Sequence, residues 1–441
     1  MFWKCMRVLV TAALAGVGAT SVAPVAAAPA VAEGGWDPPV VLAHRGTTAD
    51  LAVAGSGEMA VLVSPWSGTD RPPGLTVVRR TPGGDWESAK VVRGQYADFA
   101  VAEYDARDRL WVAWVNNETN PQVLVRHTRA GGGWTPPTVL ASRAKGDFRS
   151  LQLEWAAPDR AMAGWLWEKG LQPPTLLLAE RAPTGEWLPA GRFAGVAGFQ
   201  LALGDTGLAA LLLGEVTGFE SGRLTISRRP AGGSWETPVE LATMPADVQL
   251  VGIGGVAVDS AGTATVIWRD RTPGLGWQVL VARAAEGGAW EDPVVLGRRA
   301  ALFGAQPQVL TTPKGVVLAL WNRRDESLTA ARYDGGAWAD PVRLSGKDAY
   351  SWDAALDPTG RAVAVWTPRG WTGELAPGDG IKVRLMTRHG VWGSQVALTS
   401  PKARVLGPLV AMNHGDAVAT WWRMITEDPY TFGVSGATHL R

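Results

Sequence analysis

One phrase recurs along this chain. EGGAWEDPVVL begins at Glu286, DGGAWADPVRL at Asp334, GGSWETPVEL at Gly232 and GGGWTPPTVL at Gly131. A shortened copy, GGWDPPVVL, begins at Gly34. Aligning the copies gives Trp36, Trp86, Trp134, Trp187, Trp235, Trp290, Trp338 and Trp392, at gaps of 50, 48, 53, 48, 55, 48 and 54 residues. A period near fifty with no helical pattern inside it points to propeller blades or another all-β array.

Each unit reads as four strands. Before Trp338, QPQVLTTPKG is a strand and a tight turn, VVLALWNRR a second and almost wholly apolar strand, and SLTAARYDGG a third with its turn; AWADPVRL is the fourth. The first-to-second turns, SAGT, PTGR and GDTG, are the small-residue turns that hairpins favour. Second strands such as MAVLV, LAALLL and VVLALW are apolar on both faces, as a strand is when covered on both sides. After Trp392 the chain supplies three strands, and the opening phrase is the missing fourth. The expectation is an all-β propeller of eight four-stranded blades, closed by the N-terminal strand joining the last blade and hiding an open edge. Seven blades is the alternative if a unit such as 188–235 is absorbed elsewhere. The recurring Trp, placed identically in every unit, reads as an inter-blade packing knob. The Pro that follows suits an outer edge strand, where a missing N–H is not missed.

The chain has 441 residues, 46% hydrophobic and 19% charged, enough for a large core. Its 42 Lys and Arg against 41 Asp and Glu give a formal charge of +1 with both signs interleaved, so no nucleic-acid partner is expected. Residues 1–32 read as a secretory signal: a basic start, an Ala/Gly-rich apolar run containing Pro24, and small-residue cleavage sites ending at Ala30 and Ala32. Cys5, the only cysteine, falls inside it. The expectation is a secreted, extracellular protein with no stable membrane anchor after cleavage. Residues 33–441 would form a single propeller domain.

The Gly-rich turn followed by Trp, as in RRTPGGDW at 79–86 and RRPAGGSW at 228–235, resembles a degenerate Asp-box hairpin of sialidase-like (BNR) propellers. The resemblance recurs across nearly all of 34–441 and implies the fold. The defining Asp and Ser of the box are absent from most copies, and the Arg-Ile-Pro segment of the catalytic family is not found. Catalysis in that family needs an arginine triad, a Tyr/Glu nucleophile pair and an acidic Asp, none of which maps onto positions here.

In such a scaffold the variable loops carry function. The loops entering first strands and those joining second to third strands would ring one mouth. They bring Arg45, Tyr96, Asp98, Arg149, Trp167, Glu168, Arg269, Asp270, Arg323, Asp325, Tyr350, Trp352, Arg369, Trp371 and Arg423. Aromatic faces beside Arg and Asp forks suit sugar rings or an acidic glycan; the competing reading is solvated, self-paired charge at a rim. The five histidines show no ligand spacing, and no calcium loop, phosphate loop or GxSxG elbow occurs, so no cofactor or metal is expected. Asp98, Glu168, Asp270, Asp325 and Asp353 are the candidates for a hydrolytic carboxylate pair, whose spacing sequence cannot give. The expected function is non-catalytic recognition of a carbohydrate or cell-surface polymer. A sialidase-like glycoside hydrolase or lyase and a protein-interaction scaffold are the alternatives.

Overall fold

The computed structural model describes residues 35–440, apart from 66–73, 94, 119, 131, 157–158, 219–220, 246–253, 273–275, 302–304, 348, 350, 368–379, 402 and 428–429. Residues 1–32, expected from sequence to be a secretory signal, lie outside the described residues. The chain forms eight four-stranded antiparallel sheets; in seven the strand order follows the sequence, and the eighth joins the first strand of the chain to its last three. Blade 1 comprises Thr47–Val53, Met59–Ser64, Gly74–Arg80 and Trp86–Arg93. Blades 2 to 7 span 98–142, 147–194, 196–245, 255–298, 308–343 and 351–397. Blade 8 is Val405–Asn413, Asp416–Glu427 and Tyr430–His439, completed on its outer edge by Val40–Ala43. The unit that counting left most open, 188–235, is complete as blade 4 with its neighbours, so the ring has eight blades. No helix is present among the described residues.

Second strands are the most buried of each blade, several of them from end to end. Every residue of Leu110–Asn116, Val317–Asn322 and Ala362–Thr367 is buried. Successive side chains of a strand point to opposite faces, so each second strand fills two seams at once. A tryptophan near its end faces the preceding blade. Trp114 packs with Leu62 and Leu75 of blade 1, Trp165 with Trp111 and Ala113 of blade 2, and Trp268 with Leu212 and Leu224 of blade 4. Trp321, Trp366 and Trp421 repeat this in blades 6, 7 and 8. This second tryptophan series was present in the sequence but masked by the apolar runs around it.

The tryptophans of the recurring phrase close the same seams from the rim. Trp86, Trp134, Trp187, Trp235, Trp290, Trp338 and Trp392 each pack, half-buried, against the cluster shared with the preceding blade. Trp36 is fully inside the seam of blades 7 and 8. Trp235 also donates its Nε1–H to the Ala190 carbonyl of blade 3 at 2.8 Å. The packing-knob reading of the repeat therefore holds at every blade.

The turns that set strand register lie between first and second strands. Asp105, Asp259 and Asp357 each accept two backbone N–H groups with Oδ1, at 2.8 to 3.0 Å. The fourth residue of these turns is left-handed, which is why glycine stands at Gly262 (φ 76°) and Gly360 (φ 89°). Asp108 (φ 55°) takes that place in blade 2 and turns its carboxylate back to Gly55 N and Ser56 N of blade 1. Carboxylate-clamped turns thus sit in the first hairpin of the blade. The third-to-fourth turns, where the Asp-box resemblance was drawn, are shaped by left-handed glycines such as Gly83 and Gly232.

Two further sets of hydrogen bonds hold the ring. Innermost strands are clasped across the seams: Asp50 accepts from Ala102 N at 3.0 Å, and Asp353 from Val410 N at 3.0 Å and Gln308 Nε2 at 3.1 Å. Gln152 donates to Phe199 O and accepts from Leu201 N. Closure is secured where the two ends of the ring meet. Asp37 N donates to Thr438 O at 2.7 Å, and Arg80 of blade 1 donates to Asp37 and Thr438 at 3.0 and 2.5 Å.

Replacing Trp366, 1% exposed in the seam of blades 6 and 7, by Ala should cost about 3–5 kcal/mol in denaturant unfolding with the β circular dichroism spectrum retained. Closure should also depend on pH. The Thr438 hydroxyl, opposed by partial burial and joined by Arg80, holds the Asp37 carboxyl below its ordinary value of 3.8. A lowered folded value means its stabilisation is complete above the unfolded value and lost as pH falls through the folded one. The difference in unfolding free energy between wild type and Asp37→Asn should be constant above about pH 5 and shrink below pH 4. Solvent screening of this exposed pair keeps it under about 1 kcal/mol.

Candidate functional site

The face carrying the entry loops and the second-to-third loops holds most of the residues singled out from sequence, but they are not one ring of free groups. Tyr350, Arg369 and Trp371 lie outside the described residues. The others divide into a cluster on blades 2 and 3, buried packing positions, and isolated charges.

The cluster is built by one side chain that spans two blades. Asn117, at the end of the second strand of blade 2, donates its Nδ2–H to Phe148 O at 2.9 Å and accepts Phe148 N–H at 3.0 Å. This two-way amide bond fixes the entry strand of blade 3 against the exit loop of blade 2. Phe148 is fully buried and pairs with Trp167. Trp167 is half-buried and donates its Nε1–H to Lys145 O at 3.2 Å, and the Arg143 guanidinium lies 5.8 Å from its ring centre. On the adjacent positions of the same hairpin, Arg149 and Glu168 form an ion pair at 2.9 Å. Across the seam Tyr96, 39% exposed, is held through its backbone N–H by Glu118 at 3.3 Å. Tyr96, Arg149, Trp167 and Glu168 were expected at this mouth; Arg143 and Asn117 were missed. The signal for Arg143 was its place in the loop 143–146 directly before an entry strand.

Other expected residues are engaged elsewhere. Trp352 is 4% exposed, packs in the core of the blade 6 and 7 seam and donates its Nε1–H to Asn322 Oδ1 at 2.5 Å. Asp325 shapes its own loop: it accepts from the Ser327 hydroxyl and backbone N–H at 2.6 and 3.2 Å and pairs with Arg343 at 2.9 Å. Partial burial pushes its carboxyl up, but the Ser327 hydrogen bonds and the charges of Arg343 and Arg323 outweigh it and hold it below 3.8. Asp270 accepts from Arg271 N at 2.8 Å. Asp353 is an innermost clasp, as above. Asp98 is half-buried at the start of its strand. Arg45 and Arg323 are exposed, and Arg423 is half-buried on the second strand of blade 8.

Arg269 is the exception in kind. It is 6% exposed within the second strand of blade 5, Ala264–Thr272. Burial pushes its guanidinium down to about 10.

The carboxylates that face this mouth are thus mostly tied to guanidinium groups or backbone N–H groups. A tyrosine–carboxylate contact does occur, but at the opposite face, where Tyr104 donates its hydroxyl to Glu58 at 2.9 Å. Burial first, and the Glu58 charge second, push that phenol above its ordinary range, so it stays protonated. Among the described residues no group of three or more His, Cys, Asp or Glu side chains is placed to hold a metal ion.

No protein-family profile matches the chain, and no curated protein matches its sequence. Solved structures do match its fold. Polysaccharide lyase Uly1 superposes at a TM-score of 0.51 with 8% identity, covering 91% of each chain. Puromycin hydrolase superposes at a TM-score of 0.50 with 16% identity; the match covers 91% of this chain but spans only 62% of the hydrolase. The Hadza microbial sialidase Hz136 aligns at 0.38 with 12% identity over 75% of this chain and 76% of the sialidase. At these identities the likeness is one of fold alone.

Proposed function

We propose that this protein is an extracellular recognition propeller that binds a carbohydrate or cell-surface polymer across the entry-loop face, on blades 2 and 3. The observation that carries this reading is the cluster around Trp167. An indole beside the Arg143 guanidinium, with an Arg149–Glu168 pair on the adjacent positions of the same hairpin, offers an apolar face in a loop cluster that also supplies donors and acceptors. Sugars present the same two faces, C–H patches and hydroxyl rims. Tyr96 extends the aromatic surface to the neighbouring blade.

Binding without turnover is favoured by how the carboxylates are used. Glycoside hydrolysis needs two carboxyl groups free to act as acid and as base or nucleophile. Glu168 is paired with Arg149, Asp325 with Arg343 and Ser327, and Asp353 is buried in the strand clasp. The polysaccharide lyase of the same fold makes polymeric sugars the ligand class to try first.

A glycan array that includes bacterial cell-wall and acidic polymers tests the proposal. Trp167→Ala and Arg149→Ala should each weaken binding of the best hit by about tenfold or more, while Arg388→Ala, in a third-to-fourth turn on the far face, should leave it unchanged. Equal binding by wild type and the Trp167→Ala/Arg149→Ala double variant would sink the reading. Release of reducing ends from the bound polymer would replace recognition by catalysis.

A further inference from the structure

Arg269 is over-equipped for the structural task it performs. In six blades the residue that follows the second-strand tryptophan faces the next blade: Val115, Leu166, Arg269, Asn322, Thr367 and Trp422. Asn322 shows what this post requires. It donates Nδ2–H to Ala349 O, in the entry strap of blade 7, at 2.8 Å and to Glu326 O at 3.0 Å, and its Oδ1 accepts from Trp352. Every hydrogen-bonding atom of that amide is used, and no charge is buried. Arg269 makes the corresponding contact one blade earlier, donating Nη2–H to Ala305 O in the entry strap of blade 6 at 2.5 Å. An amide would have sufficed.

What the arginine adds is a buried positive charge and further donors, and the described residues meet neither. Nε and Nη1 are buried and have no hydrogen-bond partner. The described strap residues about this contact, Ala300, Ala301, Ala305 and Gln306, carry no carboxylate. The next residue along the strand, Asp270, points to the opposite face and turns its carboxylate to Arg271 N. Burial alone lowers the guanidinium's proton affinity, with no carboxylate acting against it. An unpaired buried charge is costly to a fold, and removing it from water is compensated only by an opposite charge with good hydrogen bonds.

We infer that Arg269 anchors an oxyanion site at the seam of blades 5 and 6, and that its ligand group is a carboxylate or sulfate carried on an acidic polysaccharide. The polymer part of this inference rests on the function proposed above; the anion part rests on the geometry of Arg269 alone. The guanidinium suits such a group because its planar N–H donors meet oxyanions at short, charge-assisted distances. Contact at this seam would extend the ligand track from blades 2 and 3 to the other side of the same face.

Arg269→Asn, which copies the residue of the next blade, is the discriminating variant. Binding of purified protein to immobilised polygalacturonate, dextran sulfate and neutral dextran would be measured together with thermal unfolding in sodium sulfate and in sodium chloride at equal ionic strength. Wild type should prefer at least one acidic polymer over dextran. Arg269→Asn should unfold at or above the wild-type temperature in chloride, because it removes an unpaired buried charge, and bind that polymer about tenfold more weakly or worse, the loss of one charge-assisted hydrogen-bonded contact. Arg269→Lys should recover part of the affinity. Undiminished binding by Arg269→Asn overturns the site. Equal binding of dextran and the acidic polymers overturns it too, while leaving carbohydrate recognition in place. If wild type binds no polymer, a sulfate-dependent rise in its unfolding temperature that Arg269→Asn lacks keeps the anion site and removes the polymer. An equal rise in both removes the site. Should Arg269→Asn fail to fold, Arg269→Gln serves the same comparison.

Discussion

Everything in this molecule depends on the seam between adjacent blades. A four-stranded sheet of this length cannot bury both faces by itself, so each blade is stable only against its neighbours. The seams are filled from three depths. Near the axis, Asp50, Gln152 and Asp353 clasp backbone groups across the gap. In the middle, second-strand tryptophans such as Trp114, Trp268 and Trp421 press into the preceding blade. At the rim, the tryptophan of the recurring phrase covers the outer end. A linear array of such units would leave two faces uncovered. Ring closure removes both, and for this reason the Asp37, Arg80 and Thr438 contact joins parts of the chain that are distant in sequence.

That rigidity decides what the loops can do. The seam that holds Asn117 against Phe148 places Trp167, Arg149 and Glu168 on a fixed base, two blades wide. Most charge on the same face has been spent within the fold, on ion pairs and turn clamps, and so carries little that a ligand would need. Arg269 stands apart because its neighbours leave its charge unanswered. A ring that satisfies Asn322 completely and Arg269 incompletely, at equivalent places, is treating the two positions differently.

A closed propeller separates the residues that hold the ring from those that meet a ligand. Seam residues answer to volume and to hydrogen-bond geometry, whereas mouth residues answer to the ligand. Sequence identities of 8% and 16% between chains of similar fold show how little the first requirement constrains particular residues.

The sequence by itself determined the architecture. The spacing of the recurring phrase, two-faced apolar second strands and Gly/Asp turns admit few folds, because each is a local consequence of strand geometry repeated eight times. Eight blades, their four strands, the packing role of the phrase tryptophans and the split last blade were all legible from these patterns. The site was legible only in part. Tyr96, Arg149, Trp167 and Glu168 could be placed on one face from their position in loops, but loop position does not tell which way a side chain turns or what it meets. Only the tertiary structure showed that Trp352 turns inward onto Asn322, that Asp325 is occupied by its own turn and Arg343, and that Asp353 is a clasp between strands. Likewise, RDR at 269–271 reads in sequence as exposed charge. The strand it ends instead carries its first arginine under the strap of the next blade, where burial and the lack of an opposing charge, both properties of the assembled ring, give that residue its character.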